Sequence, residues 1–114
     1  MKNETLEMQV EKLPESFNGR GDMKEISFTL YRRKGNVLMY ELYYGNGMVK
    51  YEVFNAKLSP KADWSTGKPV AIPNQFKERY PSSNEFGIST KCFAFSSIEK
   101  AEEKFILLSI PILE

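Results

Sequence analysis

Hydrophobic and polar residues alternate most regularly along residues 24–54. Alternation with a period of two, in β-branched and aromatic residues, is typical of strands that are buried on one face. Two turn-forming segments, Lys34-Gly35-Asn36 and Gly45-Asn46-Gly47, divide the stretch into three parts. The pattern therefore predicts a three-stranded antiparallel meander over residues 24–54.

The turns set the predicted pairing, because a shift of one residue moves every side chain to the other face. At the second turn, Asn46-Gly47 favours a two-residue type I′ turn that pairs Tyr44 with Val49. At the first turn, we favour a three-residue loop that pairs Leu30 with Tyr40 over a two-residue loop. The predicted apolar face then consists of Ile26, Phe28, Leu30, Leu38, Tyr40, Leu42, Tyr44, Val49, Tyr51 and Val53.

The opposite face of the predicted meander mixes apolar and charged side chains. Tyr31, Met39 and Phe54 are predicted to form an apolar row across it, and Tyr43 shares the face. Exposed apolar rows and tyrosine or methionine side chains are common at protein interfaces. The candidate protein-binding residues are therefore Tyr31, Met39, Tyr43 and Phe54; the alternative is that a second layer of the fold buries this face.

Glu41 and Glu52 are an acid pair that the same register places opposite each other. Two close carboxylates can divide their pKa values for acid–base catalysis, although like charges directly opposite destabilise a sheet. The chain has no histidine, the commonest general base and metal ligand, and it lacks phosphate-binding and dinucleotide glycine motifs. We therefore expect a protein that is not an enzyme and binds no cofactor or metal.

Two further strands are predicted outside the meander. Leu6, Met8 and Val10 alternate with polar residues, which indicates an N-terminal strand that ends at Leu13-Pro14. Residues 88–95 resume the alternation and predict a late strand. Both strands are expected to belong to the same small antiparallel sheet as the meander.

The C-terminal residues carry the signals of one helix. Ser96 and Glu99 have the spacing of a capping box, in which the Ser96 hydroxyl accepts from the third helical amide. Apolar residues at helical spacing, Ile98, Ala101, Phe105 and Leu108, predict a helix over residues 97–110. The predicted fold is an α+β domain in which this helix packs across the apolar face of the meander.

Apolar residues near the C-terminus exceed what one helical face needs. They are Ile106, Leu107, Ile110 and Leu113. We therefore expect these residues to contact a partner, either a second copy of the chain or another protein.

Residues 55–87 form the longest stretch without a clear period. Prolines interrupt it repeatedly, which predicts a long irregular segment within a single domain over residues 1–114. A short helical turn is predicted around residues 74–80. The prolines are Pro60, Pro69, Pro73 and Pro81.

Basic and aromatic residues interleave in this segment, where five basic residues outnumber three acidic ones. Basic grooves with aromatic rings bind single-stranded nucleic acid by charge and stacking. The alternative is that the rings attach the segment to the core while the lysines are solvated. The candidate nucleic-acid-binding residues are Arg32, Arg33, Lys34, Trp64, Lys77, Arg79 and Tyr80.

The composition indicates the number of domains and the cellular compartment of the protein. Its 114 residues suit one domain, and a net charge of +1 indicates no global attraction to nucleic acid or membranes. Cys92 is the single cysteine, which fits a reducing compartment. No apolar run is long enough to span a membrane or to form a signal peptide. We therefore expect a cytoplasmic protein without a membrane partner.

Short motifs also give the chain a family resemblance. They are Leu13-Pro14, Gly19-Arg20-Gly21-Asp22, Tyr51-Glu52-Val53-Phe54, Tyr80-Pro81, Phe86-Gly87, and a closing aromatic strand followed by Glu-Lys-Ala-Glu-Glu-Lys-Phe. With these motifs the chain resembles small uncharacterised proteins of gut-bacterial genomes and their mobile elements or phages, whose final strand is Trp-rich where this chain has Lys91-Cys92-Phe93-Ala94-Phe95. The resemblance implies an intracellular accessory protein and assigns no activity to any residue.

Two functions are therefore expected from the sequence. The first is a non-catalytic protein-binding module of a bacterial mobile element or phage, with an unidentified protein partner. The alternative is a single-stranded nucleic-acid-binding protein that uses the basic aromatic segment.

Overall fold

The described residues form eight strands and one C-terminal helix. The structure, a computed structural model, describes residues 8–82, 85–86 and 92–110, apart from the side chain of Asp22. In chain order the elements are β1 (Gln9–Glu11), β2 (Ser16–Asn18), a 3₁₀ turn (Gly21–Met23), β3 (Ser27–Lys34), β4 (Val37–Tyr43), β5 (Val49–Asn55), β6 (Lys57–Asp63), β7 (Val70–Arg79), β8 (Cys92–Phe95) and α1 (Ile98–Ser109). The predicted α+β class is confirmed.

The chain divides into two compact units. The first, which we call the hairpin unit, consists of the described residues up to Leu13 together with Lys57–Tyr80, and contains β1, β6 and β7. The second, the helix unit, consists of Pro14–Ala56 and the described residues from Pro81 onward, and contains the remaining strands and α1.

The helix unit contains an antiparallel sheet in the order β2-β3-β4-β5-β8. Its central strands confirm the meander predicted over residues 24–54. β8 confirms the described part of the late strand, while residues 88–91 lie outside the described residues. β2 is an additional strand in a segment whose glycines indicate a loop, and it pairs with the first half of β3.

The turn between β3 and β4 combines both of the registers considered for it. The loop has two residues, Gly35-Asn36, and its glycine has a φ of +61°, which a first-position glycine adopts without a steric penalty. Tyr31 is then left without a partner at a bulge, and the register shifts. Beyond the bulge Leu30 pairs with Tyr40, as predicted.

The turn between β4 and β5 is one residue longer than predicted. The amide of Tyr44 donates to the carbonyl of Met48 at 2.8 Å. Three residues, Gly45-Asn46-Gly47, therefore form the loop. As a result Tyr43 pairs with Val49, where Tyr44 was expected to do so.

Because side chains alternate along a strand, every β5 side chain lies on the face of β4 opposite to the predicted one, so that Val53 pairs with Met39 rather than with Tyr40. The helix therefore covers the β4 face that carries Met39, whereas the predicted apolar face of β4 lies on the other side of the sheet.

α1 packs on one face of this sheet and confirms the predicted helix span. Its N-cap is Ser97, whose side-chain oxygen accepts from the amide of Lys100 at 3.3 Å, so the predicted cap at Ser96 is wrong by one residue. Ala101 and Phe105 are buried, as the helical spacing predicts. The core on this side consists of Val37, Met39, Tyr51, Val53, Ala101 and Phe105, with the partly buried Val49, Phe95, Ile98 and Leu108 around it.

The other face of the sheet is an aromatic layer. The rings of Tyr40 and Phe54 are fully buried and stack with centroids 6.0 Å apart. Phe17 stacks on Phe28 at 4.6 Å and meets Tyr40 edge to face at 5.6 Å, while Phe86 meets Phe54 edge to face at 6.4 Å. The middle of the sheet is therefore buried on both faces, which a one-sided alternation does not predict.

The hairpin unit contains a three-stranded sheet in the order β1-β7-β6. The segment predicted to be irregular over residues 55–87 contains the antiparallel pair of β6 and β7, so that prediction is wrong for these two strands. Residues 74–80 lie largely in β7 rather than in a helical turn. The N-terminal strand exists as β1, but it pairs in parallel with β7 and does not join the meander sheet. Proline is tolerated on edge strands and at bulges; Pro60 lies on the edge strand β6, and Pro73 lies in a bulge.

A large bulge interrupts the pairing of β6 with β7. Between the pairs Pro60–Phe76 and Ala62–Ala71, β6 has one residue whereas β7 has four. Among these four, Asn74 has a φ of +60°, which asparagine tolerates better than most residues that carry a Cβ. The bulge brings the residues around it into an irregular, bent part of the sheet.

Candidate nucleic-acid interface

One face of the hairpin-unit sheet is polar and basic. Lys77 and Arg79 alternate along β7, and the register places Ser59 beside Lys77 and Lys57 beside Arg79. Glu11 of β1 lies beside Lys77 on the other side. Residues directly opposite one another in paired strands share a face, so three basic side chains and one carboxylate lie on the same surface.

Lys61, the β6 residue within the bulge, reaches the same surface. Its Nζ lies 2.9 Å from Oε1 of Glu11, which belongs to the strand on the far side of β7. The hydrogen bond from Lys61, and then its charge, hold the pKa of Glu11 below its ordinary value; slight desolvation opposes this shift, and Lys77 adds to it. Glu11 is therefore a carboxylate at neutral pH.

Trp64 begins the loop between β6 and β7, and 64% of its surface is exposed. Asp63 accepts a 2.9 Å hydrogen bond from the amide of Ser65, and this bond holds the pKa of Asp63 below its ordinary value. The amide of Gly67 donates to the carbonyl of Trp64 at 2.9 Å. The loop backbone around Trp64 is thus held by hydrogen bonds, and its indole ring faces solvent, where it is available for stacking.

A groove of about 510 Å³ brings these groups together. Its lining combines an exposed indole ring, two ammonium groups and a carboxylate. Grooves of this size accommodate ligands as large as a nucleotide. The lining residues are Glu11, Pro60, Lys61, Ala62, Trp64 and Lys77.

The predicted nucleic-acid-binding residues divide between the two units. Those in the hairpin unit are Trp64, Lys77, Arg79 and Tyr80. The first two line the groove, Arg79 extends its basic face, and Tyr80 follows β7. Those in the helix unit are Arg32, Arg33 and Lys34. There the Arg32 guanidinium lies 4.6 Å from the ring centre of Phe105, a cation–π contact with the helix.

Three residues of the basic face were not selected from the sequence: Glu11, Lys57 and Lys61. Lys57 and Lys61 stand four residues apart, and Lys77 and Arg79 two apart. Residues separated by an even number of positions lie on the same face of a strand. The sequence spacing could therefore have indicated that these lysines share a face with Lys77 and Arg79. Glu11 has no comparable signal, because its place depends on the parallel pairing of two strands that are distant in the sequence.

The predicted exposed protein-binding surface is wrong for two of its four candidate residues. Met39 and Phe54 are fully buried on opposite faces of the sheet, Met39 beneath α1 and Phe54 in the aromatic layer. Tyr31 and Tyr43 are 43% and 50% exposed. Tyr31 meets the ring of Tyr51 edge to face at 6.3 Å, which places it on the side of the sheet that α1 covers.

The predicted acid pair is also wrong. Glu41 pairs with Tyr51, whose hydroxyl donates to its carboxylate at 3.4 Å, whereas Glu52 pairs with Tyr40 and points to the other face. Burial raises the pKa of the Tyr51 hydroxyl, and the charge and hydrogen bond of Glu41 raise it further. The two carboxylates therefore do not share a site.

Within the described ranges, no three histidine, cysteine, aspartate or glutamate side chains are grouped to hold a metal ion. In the part of the chain that the structure describes, no helix is both long enough and apolar enough to cross a membrane. Comparisons with protein families, curated proteins and solved structures give no match.

Proposed function

We propose that this protein is a non-catalytic binding protein that holds single-stranded nucleic acid on the basic face of its hairpin unit. The observation that carries the proposal is the groove in which an exposed Trp64 lies with Lys61 and Lys77. An indole ring can stack on any base, and lysine side chains attract the phosphates next to it.

The arrangement of cations on β7 supports an extended ligand. Lys77 and Arg79 are two residues apart on one strand, a spacing of about 6.6 Å at roughly 3.3 Å per residue. This spacing is comparable with the separation of successive phosphates along an extended polynucleotide. Lys57 lies beside Arg79 on the neighbouring strand. A ligand with a run of phosphates therefore fits this face better than one with a single charge.

The exposed indole favours an unpaired strand over a duplex. Stacking on Trp64 requires the face of a base, and bases in a duplex already stack on their neighbours. A duplex therefore offers this groove only its phosphates.

The direct test is fluorescence anisotropy with a labelled single-stranded oligonucleotide at increasing salt. The wild-type protein should bind at low salt, and the logarithm of its binding constant should fall linearly with the logarithm of the salt concentration. Trp64→Ala should weaken binding by about 5- to 150-fold, since stacking contributes about 1–3 kcal/mol per base. Trp64→Phe, which keeps a ring, should retain part of the affinity.

Two results would contradict the proposal. One is the absence of binding by the wild-type protein at low salt. The other is equal affinity of the wild-type and Trp64→Ala proteins, provided that both have the same thermal stability. A duplex of the same sequence that binds as tightly as the single strand would argue against the stacking role of Trp64.

A second candidate function, protein binding, is favoured by the exposure of Tyr31 and Tyr43 in the helix unit. Ile106 and Leu107 of α1 and Ile110, the residue that follows it, are 48%, 60% and 53% exposed, which supports association with a second copy or another protein. A pull-down after nuclease treatment tests whether the surface around Tyr31 and Tyr43 binds a protein. Tyr31→Ala with Tyr43→Ala should release a partner that the parent protein retains, at unchanged stability.

The setting that we propose is the bacterial cytoplasm, with the protein acting as an accessory factor of a mobile element or phage. This part of the proposal is supported by the sequence resemblance and by the single cysteine, Cys92, which is buried in the helix unit. Detection of the native protein in the cytoplasmic fraction of its host would agree with it, and recovery from the envelope fraction would contradict it.

A further inference from the structure

The ion pair between Glu11 and Lys61 occupies the groove in which the proposed ligand would lie. Both residues line the groove, and their side chains are 61% and 37% exposed. Exposed ion pairs contribute little to stability. Because the pair lies beside Lys77, we expect it to affect ligand binding more than the stability of the fold.

A carboxylate in this position resembles a bound phosphate group. It presents two oxygen atoms and a negative charge to Lys61, at 2.9 Å, and it neighbours Lys77 in the strand register. A phosphodiester makes the same kind of contact with lysine side chains, and two anions cannot share one ammonium group without mutual repulsion. A ligand phosphate must therefore displace Glu11 before it can pair with Lys61.

We propose that Glu11 is an internal phosphate mimic that restricts the groove to ligands with several phosphates. The proposal rests on the nucleic-acid-binding function proposed above. A ligand with a single phosphate gains one contact and must break the Glu11–Lys61 pair to make it. A polynucleotide also reaches Lys77 and Arg79, so its additional contacts offset the loss. Glu11 is thus a residue that determines specificity without contributing an attractive contact.

The neutral variant Glu11→Gln tests this role in the salt titration described above. Removal of the charge frees Lys61 for a phosphate, so affinity should rise by about two- to fivefold, as for one exposed charge pair. The salt slope should also become steeper by about 0.7, the value for one more phosphate contact in a single strand. Glu103→Gln removes the same charge from an exposed position on α1 and should reproduce neither change.

A double-mutant cycle separates this role from a general effect of charge. Lys61→Gln in the wild-type background should change the slope little, because Glu11 already neutralises Lys61. In the Glu11→Gln background, the same change should reduce the slope by about 0.7. Equal effects of Lys61→Gln in both backgrounds would overturn the mimic proposal, and so would an unchanged slope in Glu11→Gln. If the wild-type protein and Glu11→Gln both fail to bind, the proposed function itself is overturned.

Discussion

The hydroxyl of Tyr40 donates a 2.6 Å hydrogen bond to the backbone carbonyl of Pro14, 26 positions earlier in the chain. Tyr40 is fully buried at the centre of the aromatic layer. The bond therefore attaches the segment that precedes β2 to the middle of the helix-unit sheet, and it satisfies a polar group that would otherwise be costly to bury.

Tyr40→Phe keeps the buried ring and removes only this hydrogen bond. We expect the free energy of unfolding to fall by about 0.5–1.5 kcal/mol, the usual net contribution of such a bond, in urea titrations followed by circular dichroism. Tyr43→Phe is the matched control, since Tyr43 is half exposed, and it should change stability by less than about 0.5 kcal/mol. Equal losses in the two variants would contradict a stabilising role for the Tyr40–Pro14 bond.

Truncation of Phe54 should destabilise the protein much more than truncation of Tyr31, although the sequence pattern groups the two residues. Phe54→Ala removes a fully buried ring and should cost about 3–5 kcal/mol. Tyr31→Ala removes a partly exposed ring with one edge-to-face contact, which contributes about 0.5–1.5 kcal/mol beyond area burial. Thermal denaturation measures both; a small loss for Phe54→Ala would place that residue on the surface and restore the predicted row.

The helix cap gives a comparison between adjacent serines. Ser97→Ala removes the side chain that accepts from Lys100 at 3.3 Å and should destabilise the protein by about 0.5–2 kcal/mol. Ser96→Ala changes the exposed neighbour and should be neutral within about 0.5 kcal/mol. If chemical denaturation showed a larger loss of stability for Ser96→Ala than for Ser97→Ala, Ser96 would be the N-cap, as the capping-box spacing predicts.

Ionisation of the Tyr51 hydroxyl should make the stability of the protein depend on pH in the alkaline range. Because burial and Glu41 raise its pKa in the folded protein, unfolded chains lose this proton first as pH rises above the ordinary value of about 10. The folded state then binds more protons than the unfolded state, so stability falls with rising pH in this range. Glu41→Gln should lower the pKa of Tyr51 and weaken that dependence. Ultraviolet titration of tyrosinate in the two proteins provides the measurement.

Lys77 should contribute to nucleic-acid affinity without favouring a sequence. Lys77→Gln removes one phosphate contact, so the salt slope should become shallower by about 0.7 and affinity should fall similarly for different sequences. Lys24→Gln, an exposed change in the helix unit, is the control with the same loss of charge. A loss restricted to particular sequences would instead indicate that Lys77 contacts bases.

The local signals in the sequence predict the meander and the helix well. Strand alternation locates β3, β4 and β5, and apolar spacing locates Ala101 and Phe105 in the core. The register of β5 is not predictable in the same way, because Gly45-Asn46-Gly47 supports both two-residue and three-residue loops. The one-residue difference in loop length decides whether Phe54 lies on the same face as Met39 or on the opposite face.

The hairpin unit is harder to predict because its signals conflict. Pro60 and Pro73 argue against strands in general, yet each occupies a place where a strand tolerates proline. Phe76 and Tyr80 have helical spacing, but pairing with β1 and β6 holds Phe76 in an extended strand. For the site, Trp64 and the lysines are visible as a basic aromatic segment, whereas the neighbour that neutralises Lys61 depends on strand order alone.

The parallel pairing of β1 with β7 also constrains the order in which the chain can fold during synthesis. The amide of Leu13, two residues after β1, donates a 2.9 Å hydrogen bond to Oε1 of Glu78, 65 positions later in the chain. The ribosome therefore releases β1 long before β7, whereas the hairpins of the meander can close as soon as they emerge. On the ribosome, β1 is made before the meander but can join its sheet only after β7 has been made, so nascent chains halted before residue 78 should leave β1 accessible to proteases.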